Sequence, residues 1–351
     1  GAEVPKNKKN TVVNQVSINS ESTIVSPPKW IKNHRSNGYD IVFQDDNNVL
    51  YLYSNTGNLF WKKKLKEKII GEITQVDLYK NKKLQMAFRT KSHFMILDRN
   101  GKIVKPFDKI IKSNSNTLPL SVFDYDENRN YRFLLAQGKN ILMLDSKGEK
   151  VNGFKFSKTR SSIINPVKHI KIKEKDFIVV QEENGKINIL NRRGESIVNV
   201  DSNLSLSKNP IWSYLNTFTT SDIKGNMVQI DTKGNVIKTP EEWASNHLLE
   251  MTTKTLVSIS ENIITIKGIP VKLPYGNYTR PKIFYINNTI YIATTDLDSQ
   301  KVYFFLSNGS SVKGFPVYGT GVVDVINADN DESLEMIVQS EADGIIIYQV
   351  N

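Results

Sequence analysis

Cysteine is absent from this chain of 351 residues. Its absence excludes disulfides, zinc–thiolate sites, iron–sulfur clusters and thiol nucleophiles. Long apolar runs are also absent, and none approaches the length that a membrane-spanning helix needs. The sequence lacks a GxSxG elbow, a P-loop, an HExxH motif and a dinucleotide fingerprint, which are short motifs whose spacing carries a chemical mechanism. No enzyme class is therefore indicated by motif.

The histidines do not supply a catalytic base. They stand in unrelated contexts, without a paired motif, at His34, His93, His169 and His247. A catalytic centre needs a nucleophile, a base and an orienting group, and no such set is recognisable. We predict no catalytic residues and no cofactor apart from the calcium ion considered below.

Acidic residues are fewer than basic ones, 36 against 47, so the formal net charge is +11. The lysines are spread through turns and loops, with clusters at Lys6–Lys9 and Lys62–Lys68. There is no arginine-rich stripe interleaved with aromatic residues, so no nucleic-acid partner is predicted. The sequence begins at Gly1 rather than Met, which predicts a processed or excised portion of a longer chain.

A repeated four-strand pattern organises the sequence. Within 71–107, GEITQVDLYKNKKLQMAFRTKSHFMILDRNGKIVKPF, four short strands are predicted, and the turn DRNG joins the third to the fourth. Eight copies are traced, at a spacing of about 40 residues that is typical of propeller blades. The fifth and sixth copies are short, so a seven-bladed ring is the alternative to eight four-stranded blades. The hairpin glycines of the first seven copies are Gly57, Gly101, Gly148, Gly194, Gly234, Gly268 and Gly309.

The eighth copy has only three predicted strands before the chain ends at Asn351. The isolated strand Thr11–Asn19 alternates apolar and polar residues and has no hairpin partner of its own. We expect it to become the missing fourth strand, closing the ring so that no sheet edge stays open. Residues 1–10 are predicted to be a linker, and 11–351 a single propeller domain.

One segment departs from the strand pattern. Thr239-Pro240-Glu241-Glu242 has a capping residue, then proline at the first helical position and glutamate at the third. This predicts a short helical insertion over 240–247. Trp243 lies in it, and Trp61 lies in a predicted outer strand; both are candidate interaction residues, although an isolated surface aromatic is often only a packing residue.

Four segments carry a resemblance to known proteins: GEITQVDLYKNKKLQMAF, LPLSVFDYDENRNYRFLLAQG, RPKIFYINNTIYIATTD and GFPVYGTGVVDVINADNDESLEMIV. Together they resemble the C-terminal propeller of large cell-envelope proteins of Gram-negative bacteria. More loosely, the copies are similar to quinoprotein-like propellers such as BamB, and the last copy resembles an FG-GAP repeat. The resemblance implies a propeller fold and a periplasmic or outer-membrane-associated location; it transfers no activity.

The last copy also carries a candidate metal site. Asn327, Asp329, Asp331 and Glu335 occupy positions 1, 3, 5 and 9 of an interstrand loop, a spacing by which oxygen side chains converge on a hard cation such as Ca²⁺. FG-GAP loops have glycine at position 6, where this chain has Glu332.

The third copy echoes the same loop with Asp124, Asp126 and Asn128, but Arg132 stands at its position 9. The alternative, which we favour for both loops, is that they are polar turns whose aspartates cap backbone amides.

These observations favour a non-enzymatic protein–protein interaction platform in the bacterial cell envelope. Its expected partner is an envelope or outer-membrane protein, within or beside an outer-membrane biogenesis or secretion complex. A propeller that binds carbohydrate or a small ligand, through a central channel or Trp243, is the first alternative. A hydrolase or quinoprotein-like enzyme is the second, although the vicinal cysteines common in quinoprotein dehydrogenases cannot occur here.

Overall fold

The computed structural model describes residues 12–112, 116–200 and 204–351. The predicted linker 1–10 and the first residue of the predicted closing strand, Thr11, lie outside this part of the chain. Strands, isolated bridges, turns, bends and irregular segments make up the described residues, and no helix is found among them. None of the described segments therefore offers a helix long and apolar enough to cross a membrane.

The described residues form 31 β-strands, each of two to eight residues. The first sixteen are β1 (Val12–Asn19), β2 (Lys29–Lys32), β3 (Tyr39–Gln44), β4 (Val49–Tyr53), β5 (Leu59–Lys64), β6 (Ile69–Val76), β7 (Gln85–Thr90), β8 (His93–Leu97), β9 (Ile103–Ile110), β10 (Ser121–Phe123), β11 (Arg132–Gln137), β12 (Asn140–Leu144), β13 (Lys168–Ile172), β14 (Lys175–Gln181), β15 (Ile187–Leu190) and β16 (Ser196–Val198). The others are β17 (Trp212–Tyr214), β18 (Thr217–Ser221), β19 (Asn226–Ile230), β20 (Val236–Pro240), β21 (Leu248–Met251), β22 (Leu256–Ser260), β23 (Ile263–Ile266), β24 (Ile269–Lys272), β25 (Lys282–Ile286), β26 (Thr289–Asp296), β27 (Lys301–Leu306), β28 (Val317–Tyr318), β29 (Asp324–Ile326), β30 (Leu334–Ser340) and β31 (Gly344–Val350).

The strands pair into eight antiparallel sheets. Seven of these have four strands, and the sheet β10-β11-β12 has three. At its fourth position, isolated bridges join Leu144 to Lys150 and Asn140 to Lys158. The fold is an all-β, eight-bladed β-propeller, so the predicted blade count is confirmed and the seven-bladed alternative is wrong.

The hairpin glycines explain the regular turns between strands. All seven glycines that the sequence marked have positive φ, between +77° at Gly194 and +91° at Gly234. Glycine reaches this region without the steric cost that a Cβ imposes. In four of these turns an aspartate or asparagine three residues before the glycine accepts bonds from two backbone amides: Asp98, for example, accepts bonds from the amides of Asn100 and Lys102 at 2.8 and 3.0 Å.

Contacts divide the chain into two compact units, 66–264 and 1–65 together with 265–351. Within the second of these, β1 completes the last sheet in the order β1-β31-β30-β29. Val16 pairs with Ile347 and Ile18 with Ile345, after a register shift between Asn14 and Val16. The prediction that the N-terminal strand supplies the missing strand is thus confirmed.

The core of the unit 1–65 and 265–351 lies between neighbouring sheets. One cluster joins β1 and the last sheet to the first sheet through Ile18, Trp30, Phe43 and Ile345. Trp30 is 5% exposed, and it packs in this cluster between the first sheet and the last. Alternation along each strand places these side chains on the faces that the sheets share.

The unit 66–264 has the same kind of core. Phe94 and Phe133 meet between its first two sheets, with ring centroids 5.1 Å apart. Phe177 and Phe218 meet edge to face, also at 5.1 Å, further along the chain. Aromatic pairs at this separation add to the stability that burial alone provides.

The predicted helical insertion at 240–247 is wrong. Pro240 is instead the last residue of β20, where it pairs with Asn226 at the outer edge of its sheet. Proline is tolerated there because an edge position does not require its missing N–H. Glu242 then takes a φ of +57°, which a right-handed helix does not allow.

Candidate functional site

The loop between β29 and β30 brings the predicted metal ligands together. Carboxylate oxygens of Asp329, Asp331 and Glu335 all lie within 4.8 Å of one another. Asn327 begins the loop and donates from Nδ2 to the carbonyl of Asp331 at 2.7 Å. Three of the four predicted ligands therefore form one cluster, and the fourth, Asn327, is bonded to the backbone of the same loop.

Glu335 is the buried member of this cluster. It lies in β30 between Leu334 and Met336, opposite Ile326 of β29, and is only 2% exposed. Its Oε2 accepts the amide of Ala328 at 2.8 Å, whereas Oε1 is buried and has no hydrogen-bond partner among the described residues. Burial raises the pKa of the Glu335 carboxyl to about 8, and the nearby carboxylate of Asp329 adds to the rise.

Asp329 and Asp331 are exposed at the mouth of the cluster. Each accepts a bond from within the loop: Asp329 from the amide of Asp331 at 3.3 Å, and Asp331 from the amide of Ser333 at 2.8 Å. Partial loss of solvation, followed by the neighbouring carboxylate of Asp329, raises the pKa of Asp331 above its usual range. The side-chain Oδ1 of Asn327 is a second buried oxygen with no hydrogen-bond partner in the described structure.

The turn differs from the FG-GAP pattern. Asn330, at position 4, adopts the left-handed conformation with a φ of +58°, whereas Glu332, at position 6, does not have a positive φ. Asparagine tolerates this region better than most residues. The chain therefore turns two positions earlier than a glycine at position 6 would require.

The same loop is bonded to the first sheet. The carbonyl of Ala328 accepts the amide of Tyr39 at 2.9 Å and Nδ2 of Asn55 at 3.3 Å. Asn330 donates from Nδ2 to the carbonyl of Asn37 at 2.5 Å. A Cβ on Gly38 would come within 2.8 Å of the Ala328 oxygen, so the two backbones approach closely.

In the third copy, the corresponding aspartates are occupied by protein groups. Asp124 accepts the amides of Asn128 and Arg129 at 3.1 and 3.0 Å, which is the turn-capping arrangement described as the alternative to a metal site. Asp126 is bonded by Arg192, from Nη2 at 2.6 Å and from Nη1 at 3.1 Å. A guanidinium therefore lies against the acidic loop.

Arg192 also bonds a second carboxylate. Its Nε donates to Oδ2 of Asp176 at 2.8 Å, and Nη2 contacts the same oxygen. The hydrogen bonds that Arg192 donates to Asp126 and then to Asp176 raise the pKa of Arg192 above its usual range. A cavity of about 300 Å³ borders Arg192 and Tyr125, but the charge of Arg192 is already balanced by these two carboxylates.

The second copy has a simpler acidic loop. Asp77 is 4% exposed and accepts the amides of Asn81 and Lys82 at 3.0 and 2.8 Å. Arg129 lies 3.5 Å from its Oδ2. Here too, an aspartate caps the turn and an arginine provides positive charge.

Trp243 is half-buried rather than presented at the surface. Its ring stacks on His247, with centroids 5.2 Å apart and planes inclined by 22°. It also packs against Trp212 and Leu249. Most of its apolar surface is thus used within the fold, which weakens the case for a stacking platform at this residue.

His247 belongs to a buried polar group that the sequence did not reveal. Its Nε2 lies 2.6 Å from Oγ of Ser221, and Nδ1 lies 2.6 Å from the carbonyl of Ala244. Ser221 is 0% and His247 4% exposed. A substrate cannot reach a serine buried in this way, so the pair holds the segment that follows β20.

Trp61 lies in β5, the outermost strand of the first sheet. Its ring is half-buried, while its neighbours Leu59 and Phe60 are 45% and 49% exposed. Lys62 and Lys64 follow on the same strand and are exposed. Trp61 was named from the sequence, but Leu59 and Phe60 were not. Their exposure could have been inferred from LFWKKK, because three consecutive apolar residues in a strand cannot all point to the same side of the sheet.

No protein-family model matches the chain, and no curated protein matches its sequence. Solved structures do match its fold. BBS1N, crystallised in complex with ARL6DN, has a TM-score of 0.59 at 10% identity, with 97% of each chain covered. BamB from Moraxella catarrhalis has a TM-score of 0.58 at 15% identity, with 97% of this chain and 98% of the other covered. These likenesses show the propeller fold.

Proposed function

We propose that this chain is a non-enzymatic protein–protein interaction platform of the bacterial cell envelope, located in the periplasm or at the outer membrane. In this proposal it belongs to, or assists, an outer-membrane biogenesis or secretion complex. The sequence resemblance to envelope propellers supports the location. The structure of BBS1N in complex with ARL6DN supports the role, since a propeller of similar fold binds a protein there.

The observation that carries the proposal is the outer face of β5. Edge strands with exposed apolar side chains invite pairing with another chain, and β5 presents Leu59 and Phe60 at about half exposure. The strand ends the sheet order β2-β3-β4-β5. An extended segment of a partner protein could therefore add to this edge, with backbone bonds for affinity and side chains for specificity.

Charge indicates what kind of segment would fit. Lys62, Lys63 and Lys64 follow the apolar pair, and the whole chain carries a formal charge of +11. Lys62 is paired on the surface with Glu21, an interaction of the exposed kind that competes weakly with a partner. A partner strand that is apolar at one end and acidic at the other matches β5.

The test is affinity capture from solubilised bacterial envelopes with the wild-type chain and two variants. Phe60→Ser removes the most exposed apolar side chain of β5. Ile110→Ser removes an apolar side chain that is 76% exposed at the end of β9, another outer strand. The two variants thus change similar surfaces at different edges.

We expect one envelope protein to be recovered by wild type and by Ile110→Ser, and to be lost, by tenfold or more, with Phe60→Ser. If Phe60→Ser recovered the envelope protein as well as wild type does, or if Ile110→Ser lost it to the same extent, β5 would be excluded as the specific contact. Recovery of glycan without any protein would exclude the interaction platform itself and favour the carbohydrate-binding alternative.

A further inference from the structure

We propose that the loop between β29 and β30 binds one divalent cation, Ca²⁺ by its ligand chemistry, and that this ion fastens the last sheet of the propeller to the first. The inference is independent of the proposed protein partner. It rests on the ligand geometry, on two buried oxygens and on a comparison with the other acidic loops of the same chain.

The ligand set consists only of oxygen atoms. Ca²⁺ binds oxygens at about 2.3–2.6 Å, so two oxygens on the same ion lie at most about 5 Å apart. The carboxylates of Asp329, Asp331 and Glu335 already meet this limit, all within 4.8 Å. No rearrangement of the backbone is needed for three carboxylates to share one ion.

The burial of Glu335 distinguishes this cluster from an ordinary acidic patch on the surface. A carboxylate that is 2% exposed, with Oε1 buried and unbonded among the described residues, points toward the cluster that holds Asp329 and Asp331. Leaving a buried acceptor unpaired is costly. A cation bound between these oxygens removes that cost. At the start of the same loop, Oδ1 of Asn327 is also buried without a hydrogen-bond partner among the described residues.

The other acidic loops show how this chain balances such charge elsewhere. Asp126 is bonded by Arg192 at 2.6 Å, and Asp77 lies 3.5 Å from Arg129. The first residue of each of those loops is Asp77 or Asp124, and its carboxylate accepts hydrogen bonds from backbone amides. Asn327 instead donates its amide to the loop and keeps its oxygen unbonded. The last loop is therefore built for a cation from outside the chain.

The position of the loop gives the ion its structural effect. Ala328, next to the ligands, accepts the amide of Tyr39 at 2.9 Å, and Asn330 donates to the carbonyl of Asn37. Tyr39 is the first residue of β3, and Asn37 lies in the loop between β2 and β3. Fixing the loop with a cation therefore holds the first sheet against the last, the sheet in which β1 pairs with β31.

The experiment uses the full chain, stripped of metal with a chelator and titrated calorimetrically with CaCl₂. Asp329→Asn removes one carboxylate from the cluster, and Asp126→Asn is the matched control in the third copy. We expect wild type and Asp126→Asn to bind one Ca²⁺ per chain with a saturable heat. Asp329→Asn is expected to bind at least tenfold more weakly, since affinity follows the number of charged ligands.

Two further measurements guard against a merely misfolded variant. The thermal midpoint of metal-free Asp329→Asn should equal or exceed that of metal-free wild type, because the substitution removes repulsion between carboxylates. Amide exchange at Tyr39 should slow on adding Ca²⁺ to wild type and stay unchanged in Asp329→Asn. This readout reports the link to the first sheet directly.

A titration of wild type that stays flat to roughly 10 mM Ca²⁺, beyond the weak range of extracellular modules, would overturn the site. So would binding that Asp329→Asn leaves intact. Saturable binding without any change in exchange at Tyr39 would overturn the fastening role.

Discussion

Arg192 and Asp126 are joined by a hydrogen bond of 2.6 Å between Nη2 and Oδ1, although 66 residues separate them. The bond holds the pKa of Asp126 below its usual range. Arg192 also bonds Asp176, whose carboxylate contacts His169 at 2.6 Å. One guanidinium therefore links a loop of the third copy to β14 of the fourth, where Asp176 in turn contacts His169 of β13.

Replacing Arg192 should cost more stability than replacing Asp126. Arg192→Gln leaves Asp176, with a side chain that is 11% exposed, without its cationic partner, and we expect a loss of about 1–3 kcal/mol. Asp126 is exposed at 56%, so Asp126→Asn should cost about 0.2–1 kcal/mol. Urea unfolding of both single variants and the double variant gives these values and their coupling. Equal costs for the two single variants would contradict this account.

The contribution of β1 can be tested within the strand itself. Ile18 is 3% exposed and packs beside Trp30, whereas Val13, on the same strand, is 47% exposed. Ile18→Ala should lower the free energy of unfolding by about 2–5 kcal/mol, and Val13→Ala by roughly 0.5 kcal/mol or less.

Removing the whole of β1 should have a second effect. Without it, the backbone of β31 becomes an open sheet edge, which favours association with other chains. Sedimentation of a chain that starts after Asn19 should show this association. A truncated chain that stays monomeric and melts at the wild-type temperature would contradict the closure.

Much of the fold was predictable because its signals are local. The hairpin glycines need positive φ, and alternation of apolar residues marks each half-buried strand, so blade count and closure followed from the sequence. The helix predicted at 240–247 was wrong because the same residues, proline after threonine, also suit the end of an edge strand. Pairing of Pro240 with Asn226 decided between the two, and pairing across a sheet is not visible locally.

The candidate metal site was predictable only in part. Spacing placed Asn327, Asp329, Asp331 and Glu335 in one loop. The structure brings the three carboxylates together and bonds Asn327 to the backbone of Asp331. Spacing could not show that Oε1 of Glu335 is buried without a hydrogen-bond partner in the described residues. It also could not show that Arg192 reaches Asp126, because that contact depends on how two copies pack.

The ionised carboxylate of Glu67 should stabilise the folded protein, and this stabilisation should be lost as the pH falls below about 4.5, the ordinary pKa of a glutamate. Burial raises the pKa of Glu67, but hydrogen bonds from Ser92, Thr90 and His93 outweigh burial and lower it to about 2. A carboxylate with a depressed folded pKa stabilises the folded state above its unfolded pKa, and this contribution disappears as pH falls toward the folded value.

The pH dependence can be isolated with Glu67→Gln. At pH 7 we expect this variant to be less stable than wild type, by on the order of 1–2 kcal/mol because the side chain is partly exposed. The difference should shrink between pH 4.5 and pH 2. Glu183→Gln, at an exposed position, is the control and should show no such trend. A difference that is constant with pH would exclude the ionised carboxylate as its source.

Gly225 should tolerate alanine far less well than Gly268, although their φ angles are nearly equal at +85° and +82°. A Cβ on Gly225 would lie 2.3 Å from the carbonyl oxygen of Trp243, whereas nothing lies within 4 Å of one on Gly268. Gly268→Ala therefore measures the cost of the left-handed backbone alone, about 1–2 kcal/mol. Gly225→Ala adds the displacement of the segment that carries Trp243 and His247, about 1–3 kcal/mol more. Thermal unfolding of the two variants separates these costs, and equal midpoints would show that the Trp243 segment moves aside freely.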